Sequence, residues 1–375
     1  MPICANLFSP LRIGNLELAN RVTMAPLFLG YARPTGEVSP LLLEHYKRMG
    51  SSGAAMIMVE NASIDSAGLG SPFTLRVDED RFIDGLAQVA QAVKQGGALA
   101  GLQINHAGRY AYGKQAMAPS AVPVGDKAPP RVMTDQDIQR IVKAYAAAAA
   151  RVKAAGFDLV ELHGGTGYLL SQFLSPCTNK REDQYGGSLE NRLRFPLEVI
   201  SAVRDEVGPD YTIGYRFLAD EWLPGAWGLE EARQTAPRLA AGGLAYLSVM
   251  GGCYESFHLP ERQAAERQQG YMADLAASIK SVVDIPVIAA GRIQEPSFAE
   301  SLIQEGRADL IGLARVLLAD PRWPTKARDG RQAEITVCEP TCSLCFKQVM
   351  QGQPVNCSQW SKQERERVKA LNETA

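Results

Sequence analysis

The features that the sequence lacks narrow its class. It has no block of like charge: 39 Lys and Arg against 41 Asp and Glu leave a net charge of −2, which does not favour nucleic acid or an acidic membrane surface as a partner. No apolar stretch approaches the roughly 20 residues that span a bilayer. Residues Met1 to Asn6 lack the basic and then apolar run of a signal peptide. We therefore expect a cytoplasmic globular protein that binds neither nucleic acid nor a membrane.

Two further absences concern crosslinks and cofactors. Of the 7 cysteines, an odd number, four crowd between Cys338 and Cys357, which does not fit the disulfide framework of a secreted protein. In a reducing compartment such a cluster more often binds metal. No Gly-x-Gly-x-x-Gly motif follows an apolar run, so a dinucleotide-binding domain with that fingerprint is not expected.

Short apolar runs recur along the chain and alternate with helical patterns. Most are uninterrupted rather than alternating, as expected for parallel strands that are covered on both faces. Strands that alternate with helices favour a closed barrel or a doubly wound sheet. The eight predicted strands are Arg21–Pro26, Ala54–Val59, Ala98–Ile104, Asp158–His163, Thr212–Phe217, Ala245–Met250, Pro286–Ala290 and Ala308–Gly312.

One helix, one hairpin and one boundary are predicted in detail. A helix should run from Thr134, a suitable N-cap, to Ala155, and Gly156 should stop it. Its buried face should carry Ile138, Ile141, Tyr145 and Val152. Gly14-Asn15 should form the turn of a hairpin before the first strand, at the bottom of the barrel. The alternation stops near Arg328, so we predict a barrel over residues 1–327 and a short cysteine-containing extension over 328–375.

Polar residues and glycines gather where the predicted strands end. The third strand runs into Gln103, the fourth into His163 and Tyr168, and the fifth carries Arg216. Active sites of α/β barrels lie at these carboxyl ends. Gly291 and Gly312 end the last two strands, and Arg315 should open a short helix there. This combination predicts a site for a phosphorylated ligand.

Four segments make the resemblance specific. They are Asn20–Pro26, Gln103–Arg109, His163–Arg192 and Gly306–Arg315. In order and spacing they resemble the Old Yellow Enzyme family, and the resemblance covers residues 7 to about 325. It implies a (β/α)8 TIM barrel that binds FMN, takes hydride from NADH or NADPH and passes it to the activated C=C bond of a small molecule. A lyase or aldolase of the same fold would need a Schiff-base lysine, and no predicted strand ends in lysine.

The resemblance also assigns flavin contacts. Gln103 would hydrogen-bond the pyrimidine edge, because a carboxamide offers both a donor and an acceptor. Arg216 would stabilise the reduced flavin near N1 and C2=O, where negative charge develops. The phosphate would be held by Gly291, Arg292, Gly312 and Arg315. Further expected contacts are Ala25, Pro26, Leu27, Asn61 and Ala314.

For catalysis, the resemblance makes Tyr168 the proton donor to the carbon beside the substrate carbonyl, while flavin N5 delivers hydride to the neighbouring carbon. His163 would grip the carbonyl oxygen. Thr166 stands where the family usually has a second His or Asn, and its hydroxyl is shorter than an imidazole. Phe28 stands where relatives commonly have a Thr or Cys that tunes the flavin. We therefore expect an intact flavin site and an altered substrate site.

The extension carries the array C-x3-C-x2-C-x11-C, formed by Cys338, Cys342, Cys345 and Cys357. Such thiolates suit a [4Fe–4S] cluster or a zinc ion, and free thiols are the third reading. The array resembles the four-cysteine site of the 2,4-dienoyl-CoA reductase and trimethylamine dehydrogenase branch, although that branch typically spaces its first two cysteines by two residues.

That branch also carries a large nucleotide-binding region that is not in this sequence. A cluster here would therefore pass electrons to a separate protein partner, or only hold the tail in place. The alternative function is an FMN and iron–sulfur dehydrogenase or demethylase. Barrels of the family often form homo-oligomers, so the resemblance is compatible with a homo-oligomer.

Overall fold

The computed structural model describes residues 4–113 and 116–373. At its centre, eight parallel strands form a closed barrel, because each strand pairs with its neighbour in chain order and the last pairs with the first. We label them β1 Val22–Met24, β2 Met56–Ser63, β3 Leu99–Asn105, β4 Leu159–Gly164, β5 Thr212–Asp220, β6 Tyr246–Gly251, β7 Val287–Ala289 and β8 Leu310–Leu313. The predicted (β/α)8 barrel is confirmed.

Helices surround the barrel and cover its outer face. Those in the described residues are α1 Pro40–Gly50, α2 Ile83–Gln95, α3 Asp135–Ala154, α4 Leu169–Leu174, α5 Leu189–Val207, α6 Leu229–Ala241, α7 Pro260–Glu266, α8 Ala273–Lys280, α9 Pro296–Gln304, α10 Arg315–Ala319, α11 Trp323–Arg328, α12 Leu344–Met350 and α13 Lys362–Glu373. None of the helices in this part of the chain has the length and apolar character that crossing a bilayer requires. Short strands lie outside the barrel at Leu11–Ile13, Leu16–Leu18, Leu75–Arg76, Met117–Ala118 and Arg131–Val132.

Helix α3 shows how the sequence sets an element. Thr134 is its N-cap, and a capping box with Asp137 satisfies backbone amides of the first turn. The predicted face is buried throughout: Ile138, Ile141, Tyr145 and Val152 have no exposed surface. The chain leaves the helix through Gly156, whose φ of 83° lies in the region that glycine tolerates best. The helix prediction is confirmed.

The N-terminal hairpin closes the bottom of the barrel, as predicted. Leu11–Ile13 pairs antiparallel with Leu16–Leu18. Ile13 and Leu18 are fully buried and join a small core with residues near the starts of the strands. Members of that core include Met56, Leu159, Tyr246 and Leu310. Gly14 makes the turn with φ of 53°. An added Cβ there would lie 3.0 Å from the hydroxyl of Thr212, so glycine also provides the space.

The ends of the strands differ from the predicted ones. β2 continues to Ser63, past a register shift between Val59 and Ala62. This shift places Glu60 and Asn61 at an irregular point of the barrel wall, and both are buried. Polar residues near the end of β2 interrupt the apolar run, so the strand predicted from that run ended too early.

The C-terminal extension packs against the barrel. The Trp360 indole donates to the carbonyl of Leu318 (2.7 Å), and the amide of Val355 donates to the carbonyl of Leu29 (2.9 Å). Arg48 on α1 pairs with Glu364 on α13. The extension therefore shares the hydrophobic core of the barrel. The division at residues 327 and 328 stays a prediction.

Candidate active site

Two layers of polar side chains stand inside the barrel, the upper one near the carboxyl ends of the strands and the lower one nearer their starts. His163, Arg216 and Ser248 share one register across β4, β5 and β6. Because side chains two residues apart on a strand point to the same face, the next inward layer carries Glu161 on β4 and Tyr246 on β6. Polar residues inside a barrel core need partners, and the partners are found within these layers.

The lower layer is a hydrogen-bonded set. The Gln103 amide donates to one oxygen of Glu161 (2.7 Å), and the Tyr246 hydroxyl donates to the other (3.0 Å). Gly214 lies between β4 and β6 in the same register, and an added Cβ would clash with the Tyr246 ring at 2.0 Å. Burial raises the pKa of Glu161, which the charge of Arg216 opposes. The second N–H and the oxygen of Gln103 are left to bind a ligand.

Arg216 is the cation of the upper layer. Its guanidinium donates to the Ser248 hydroxyl (2.8 Å). Burial lowers the pKa of Arg216, and the nearby Glu161 carboxylate opposes that shift. Arginine keeps its charge even when buried, so this position presents a fixed positive charge to any group bound at the barrel mouth.

A cavity of about 140 Å³ opens at the ends of β7 and β8. It brings together most of the predicted flavin contacts: Ala25, Pro26, Arg216, Gly291, Arg292, Gly312, Ala314 and Arg315. Gly291 has φ of 112°, and an added Cβ would lie 2.9 Å from the amide nitrogen of Met272. Glycine is therefore required there. Two glycines and two arginines line this cavity, a combination that suits a phosphate group.

Arg292 and Arg315 also line a second, larger cavity of about 580 Å³. This cavity lies between the barrel mouth and the extension, and its wall includes Leu27, Tyr254 and Cys345. Arg292 donates to the carbonyl of Cys338 at 3.3 Å. The two arginines thus stand between the cavity at the ends of β7 and β8 and the cysteine-bearing loop.

His163 holds a defined tautomer. The amide of Gly165 donates to its Nδ1 (3.2 Å), so in the neutral ring Nε2 carries the proton. Burial lowers the pKa of His163 to about 3, and the charge of Arg216 acts in the same direction. The imidazole is therefore neutral at physiological pH and offers one N–H donor.

Tyr168 lies beside His163, with ring centroids 5.0 Å apart and an interplanar angle of 81°. Its hydroxyl is 2.7 Å from the hydroxyl of Tyr254, a residue on the loop after β6. Burial raises the pKa of Tyr168 well above its ordinary value, and the neighbouring Tyr254 adds to the shift. The Tyr168 phenol is therefore a weaker acid than an exposed tyrosine.

The remaining predicted residues lie around this centre. Thr166 adopts a φ of 60°, and its hydroxyl donates to the sulfur of Met250 at 3.6 Å. In this structure it is therefore directed to the barrel wall. Asn61 is buried at the irregular end of β2, and Leu27 lines the larger cavity.

The cysteines of the extension are free thiols in one neighbourhood. Burial raises the pKa of Cys357, and the other thiols Cys338, Cys345 and Cys342 add to the shift, which places all four within electrostatic reach. Across the described ranges, no three His, Cys, Asp or Glu side chains converge on a single-ion arrangement. The choice between a [4Fe–4S] cluster, a zinc ion and free thiols therefore stays a prediction from the sequence.

Four residues of the described site were not identified from the sequence: Glu161, Tyr246, Ser248 and Tyr254. Glu161 alternates with His163 in an otherwise apolar strand, and this pattern of polar residues at i and i+2 was a usable signal. Tyr254 had no such signal, because a bridge between Thr166 and Cys253 brings its loop to Tyr168.

The donor set suits FMN. A cavity with glycine backbone and two arginines can take the phosphate, and Arg216 and Gln103 can meet the polar edge of a flavin. The Arg216 side chain is partly buried and donates to the Ser248 hydroxyl, and its other N–H groups can donate to an anionic ring edge.

Comparisons with known proteins agree with this geometry. The NADH oxidase of Thermoanaerobacter brockii is 45% identical over 343 residues, which cover 89% of this chain and 52% of that protein. The metal reductase of Desulforamulus reducens is 42% identical over 376 residues, which cover 98% and 55%. The chain spans about half the length of these two relatives. The NADPH dehydrogenase of Geobacillus sp. is 36% identical, and the match covers 86% of this chain and 93% of that protein.

Solved structures match the fold and the extension. A 2-naphthoyl-CoA reductase complex has a TM-score of 0.91 at 29% identity and covers 98% of this chain and 58% of its own. Histamine dehydrogenase from Rhizobium sp. 4-9 has a TM-score of 0.86 at 31% identity and covers 95% and 52%. Morphinone reductase has a TM-score of 0.74 at 31% identity, covering 87% and 91%.

A sequence profile of one family matches residues 6–334. The match includes the whole barrel and every predicted flavin contact. The chain therefore belongs to the NADH:flavin oxidoreductase / NADH oxidase family, whose enzymes are FMN-dependent oxidoreductases.

Proposed function

We propose that this protein uses NADH or NADPH to reduce a C=C bond conjugated to a carbonyl group. The observation that carries the proposal is the placement of His163 beside Tyr168 at the barrel mouth, with ring centroids 5.0 Å apart. One group can polarise a carbonyl, and the other can protonate the adjacent carbon.

His163 would bind the substrate oxygen through Nε2–H. The Gly165 amide occupies Nδ1 and so keeps the proton on Nε2. A neutral donor suits an oxygen that gains negative charge, because the hydrogen bond strengthens as the charge develops. Thr166 would not share this role in the rotamer observed, since its hydroxyl meets Met250.

Tyr168 would hold the proton that completes the reduction. Its raised pKa means that the phenol gives up its proton only to a strongly basic site. A carbanion beside a polarised carbonyl is such a site. Burial of Tyr168 also keeps bulk water from competing for that carbon.

Bound FMN would supply the hydride chemistry, accepting hydride from the nicotinamide and donating it to the alkene. Gly291, Gly312 and Arg315 would hold its phosphate, and Arg216 and Gln103 its polar ring edge. Arg216 would favour the reduced form because it presents a fixed charge. The name of the solved neighbour 2-naphthoyl-CoA reductase supports a conjugated acyl compound as substrate.

The test is reduction of 2-cyclohexenone by the FMN-loaded protein under anaerobic conditions, with NADH and NADPH compared. With 4-deuterated nicotinamide in ordinary water, we expect deuterium at the carbon distant from the carbonyl and hydrogen at the carbon beside it. Failure to reduce any of a panel of enones and enoyl thioesters, with FMN bound and reduced by the nicotinamide, would overturn the proposal.

A second candidate is an amine dehydrogenase that exports electrons through a [4Fe–4S] cluster on Cys338, Cys342, Cys345 and Cys357. The extension and the likeness to histamine dehydrogenase favour it. This protein would pass electrons to a partner protein, so the test is amine-dependent reduction of ferricenium. Ferricenium reduction with histamine, without enone reduction, would select this candidate.

A further inference from the structure

Tyr254 is held beside Tyr168, the proposed proton donor, by the two loops on which these residues lie. The bridge between Thr166 and Cys253 aligns the loop after β4 with the loop after β6. One residue after Cys253, the Tyr254 hydroxyl reaches the Tyr168 hydroxyl at 2.7 Å. The loops thus hold two phenols in hydrogen-bond contact at the reaction site.

The two phenols differ in what they face. Tyr254 lines the cavity of about 580 Å³ between the barrel mouth and the extension, whereas Tyr168 is not on its wall. Tyr254 therefore stands between Tyr168 and an open space that water can enter. A proton that reaches Tyr168 from this cavity has a direct route through the Tyr254 hydroxyl.

The Tyr254 ring is held by aromatic neighbours. Tyr110 packs on it with centroids 4.7 Å apart, and Phe257 lies at 5.7 Å. The Tyr110 hydroxyl is already used, because it donates to Glu255 and accepts from Arg109. Tyr110 therefore supports the ring without an available hydroxyl proton of its own.

We propose that Tyr254 is the positioning residue for Tyr168 and returns a proton to it during each reduction. The proposal rests on the proposed function of Tyr168. The Tyr168 O–H bond breaks as the substrate C–H bond forms, and the Tyr254 O–H bond breaks as the Tyr168 O–H bond re-forms. Water in the cavity then gives Tyr254 its proton. The balance is one hydride from the nicotinamide and one proton from solvent for each C=C bond.

The physical reason is the cost of a buried anion. A phenolate left on Tyr168 would be buried with no cation contacting its oxygen in the part of the chain that the structure describes. Moving the second proton at the same time places the negative charge on Tyr254, at the cavity wall, where water can solvate it. Both protons should therefore move in the same transition state.

The experiment is a proton inventory on the reoxidation of the NADPH-reduced holoenzyme by 2-cyclohexenone in H₂O–D₂O mixtures. For the unmodified protein we expect the reoxidation rate to depend on the deuterium fraction along a curve, because two protons move in the same transition state. For Tyr254→Phe we expect a linear dependence and a reoxidation rate about tenfold lower. Tyr110→Phe, which removes a hydroxyl from the same cluster, should keep the curvature.

A linear inventory in the unmodified protein would overturn the proposal without any variant. So would a curved inventory in Tyr254→Phe with an unchanged rate. Flavin absorbance and reduction by NADPH report whether Tyr254→Phe is folded. The failure of the proposed function is distinguishable, because in that case the unmodified protein reduces no enone or Tyr168→Phe reduces it at the unmodified rate.

Discussion

His163 accepts a hydrogen bond from the Gly165 amide at 3.2 Å, which leaves its other ring nitrogen to donate. The acceptor nitrogen is thereby occupied by the chain's own backbone, two residues further along. The tautomer is fixed before any substrate arrives, and burial keeps the ring neutral. The Nε2–H of His163 should therefore remain a hydrogen-bond donor across the physiological pH range.

The first prediction concerns that donor. His163→Phe removes it, and we expect kcat/KM for 2-cyclohexenone to fall about 100-fold, because the carbonyl oxygen loses its stabilising hydrogen bond. His163→Asn keeps a donor and should lose less. In the unmodified protein no step attributable to His163 should occur between pH 5 and 9, since its pKa is about 3. A kinetic pKa near 6.5 that His163→Asn abolishes would contradict this account.

A second prediction concerns acid stability and uses a histidine outside the site. Burial lowers the pKa of His45 to about 3, and Arg48 adds to the shift. The unfolded state, with a pKa near 6.5, binds more protons between these values, so stability falls as the pH falls through that window. The free energy of unfolding should therefore fall by about 2 kcal/mol less between pH 7 and 5 in His45→Gln than in the unmodified protein. Urea unfolding at both pH values measures it, and equal losses in the two proteins would refute it.

A third prediction concerns Glu60, whose effect on stability has the opposite dependence on pH. Its carboxylate accepts from the Leu29 amide at 2.7 Å, but its other oxygen is buried without a partner among the described residues. Burial raises its pKa to about 8, which the Leu29 hydrogen bond opposes. The folded state binds the extra proton, so this group's stabilising contribution is lost as the pH rises from about 4.5 to 8.

Glu60→Gln keeps the acceptor for Leu29 and carries no charge. It should be more stable than the unmodified protein at pH 9, by an amount on the order of a few kcal/mol, and no more stable at pH 5. Glu17→Gln, at an exposed carboxylate, is the matched control. An equal gain at both pH values would show that the titration of Glu60 is not the cause.

The fourth prediction concerns the extension. Protein purified without oxygen should contain about four irons and matching acid-labile sulfide per chain. Cys345→Ser should lose most of the iron while FMN stays bound, because the expected flavin contacts lie on the barrel. Cys177→Ser, at a thiol outside the extension, should retain it. Zinc in place of iron would contradict the cluster.

The sequence predicted the barrel well because its parallel strands are buried on both faces and appear as continuous apolar runs. The expected flavin contacts were named because their segments resemble those of the family; eight of them line one cavity, and their role toward a flavin stays a prediction. Glu161 and Tyr254 depend on other relationships. Glu161 lies beside Gln103 because the two residues share a register across neighbouring strands, and Tyr254 lies beside Tyr168 because a bridge joins their loops. Neither relationship is local in the chain, so a pattern read along it does not contain them.

The most direct test of the account is stopped-flow reoxidation of NADPH-reduced Tyr168→Phe by 2-cyclohexenone. Phenylalanine keeps the ring that packs against His163 and removes the hydroxyl group, together with its hydrogen bond to Tyr254. We expect reoxidation by the enone to slow by about 10²- to 10⁴-fold, with FMN binding and reduction by NADPH unchanged. Reoxidation by the enone at the unmodified rate would contradict the assignment of Tyr168 as the proton donor, and with it the proposed reaction.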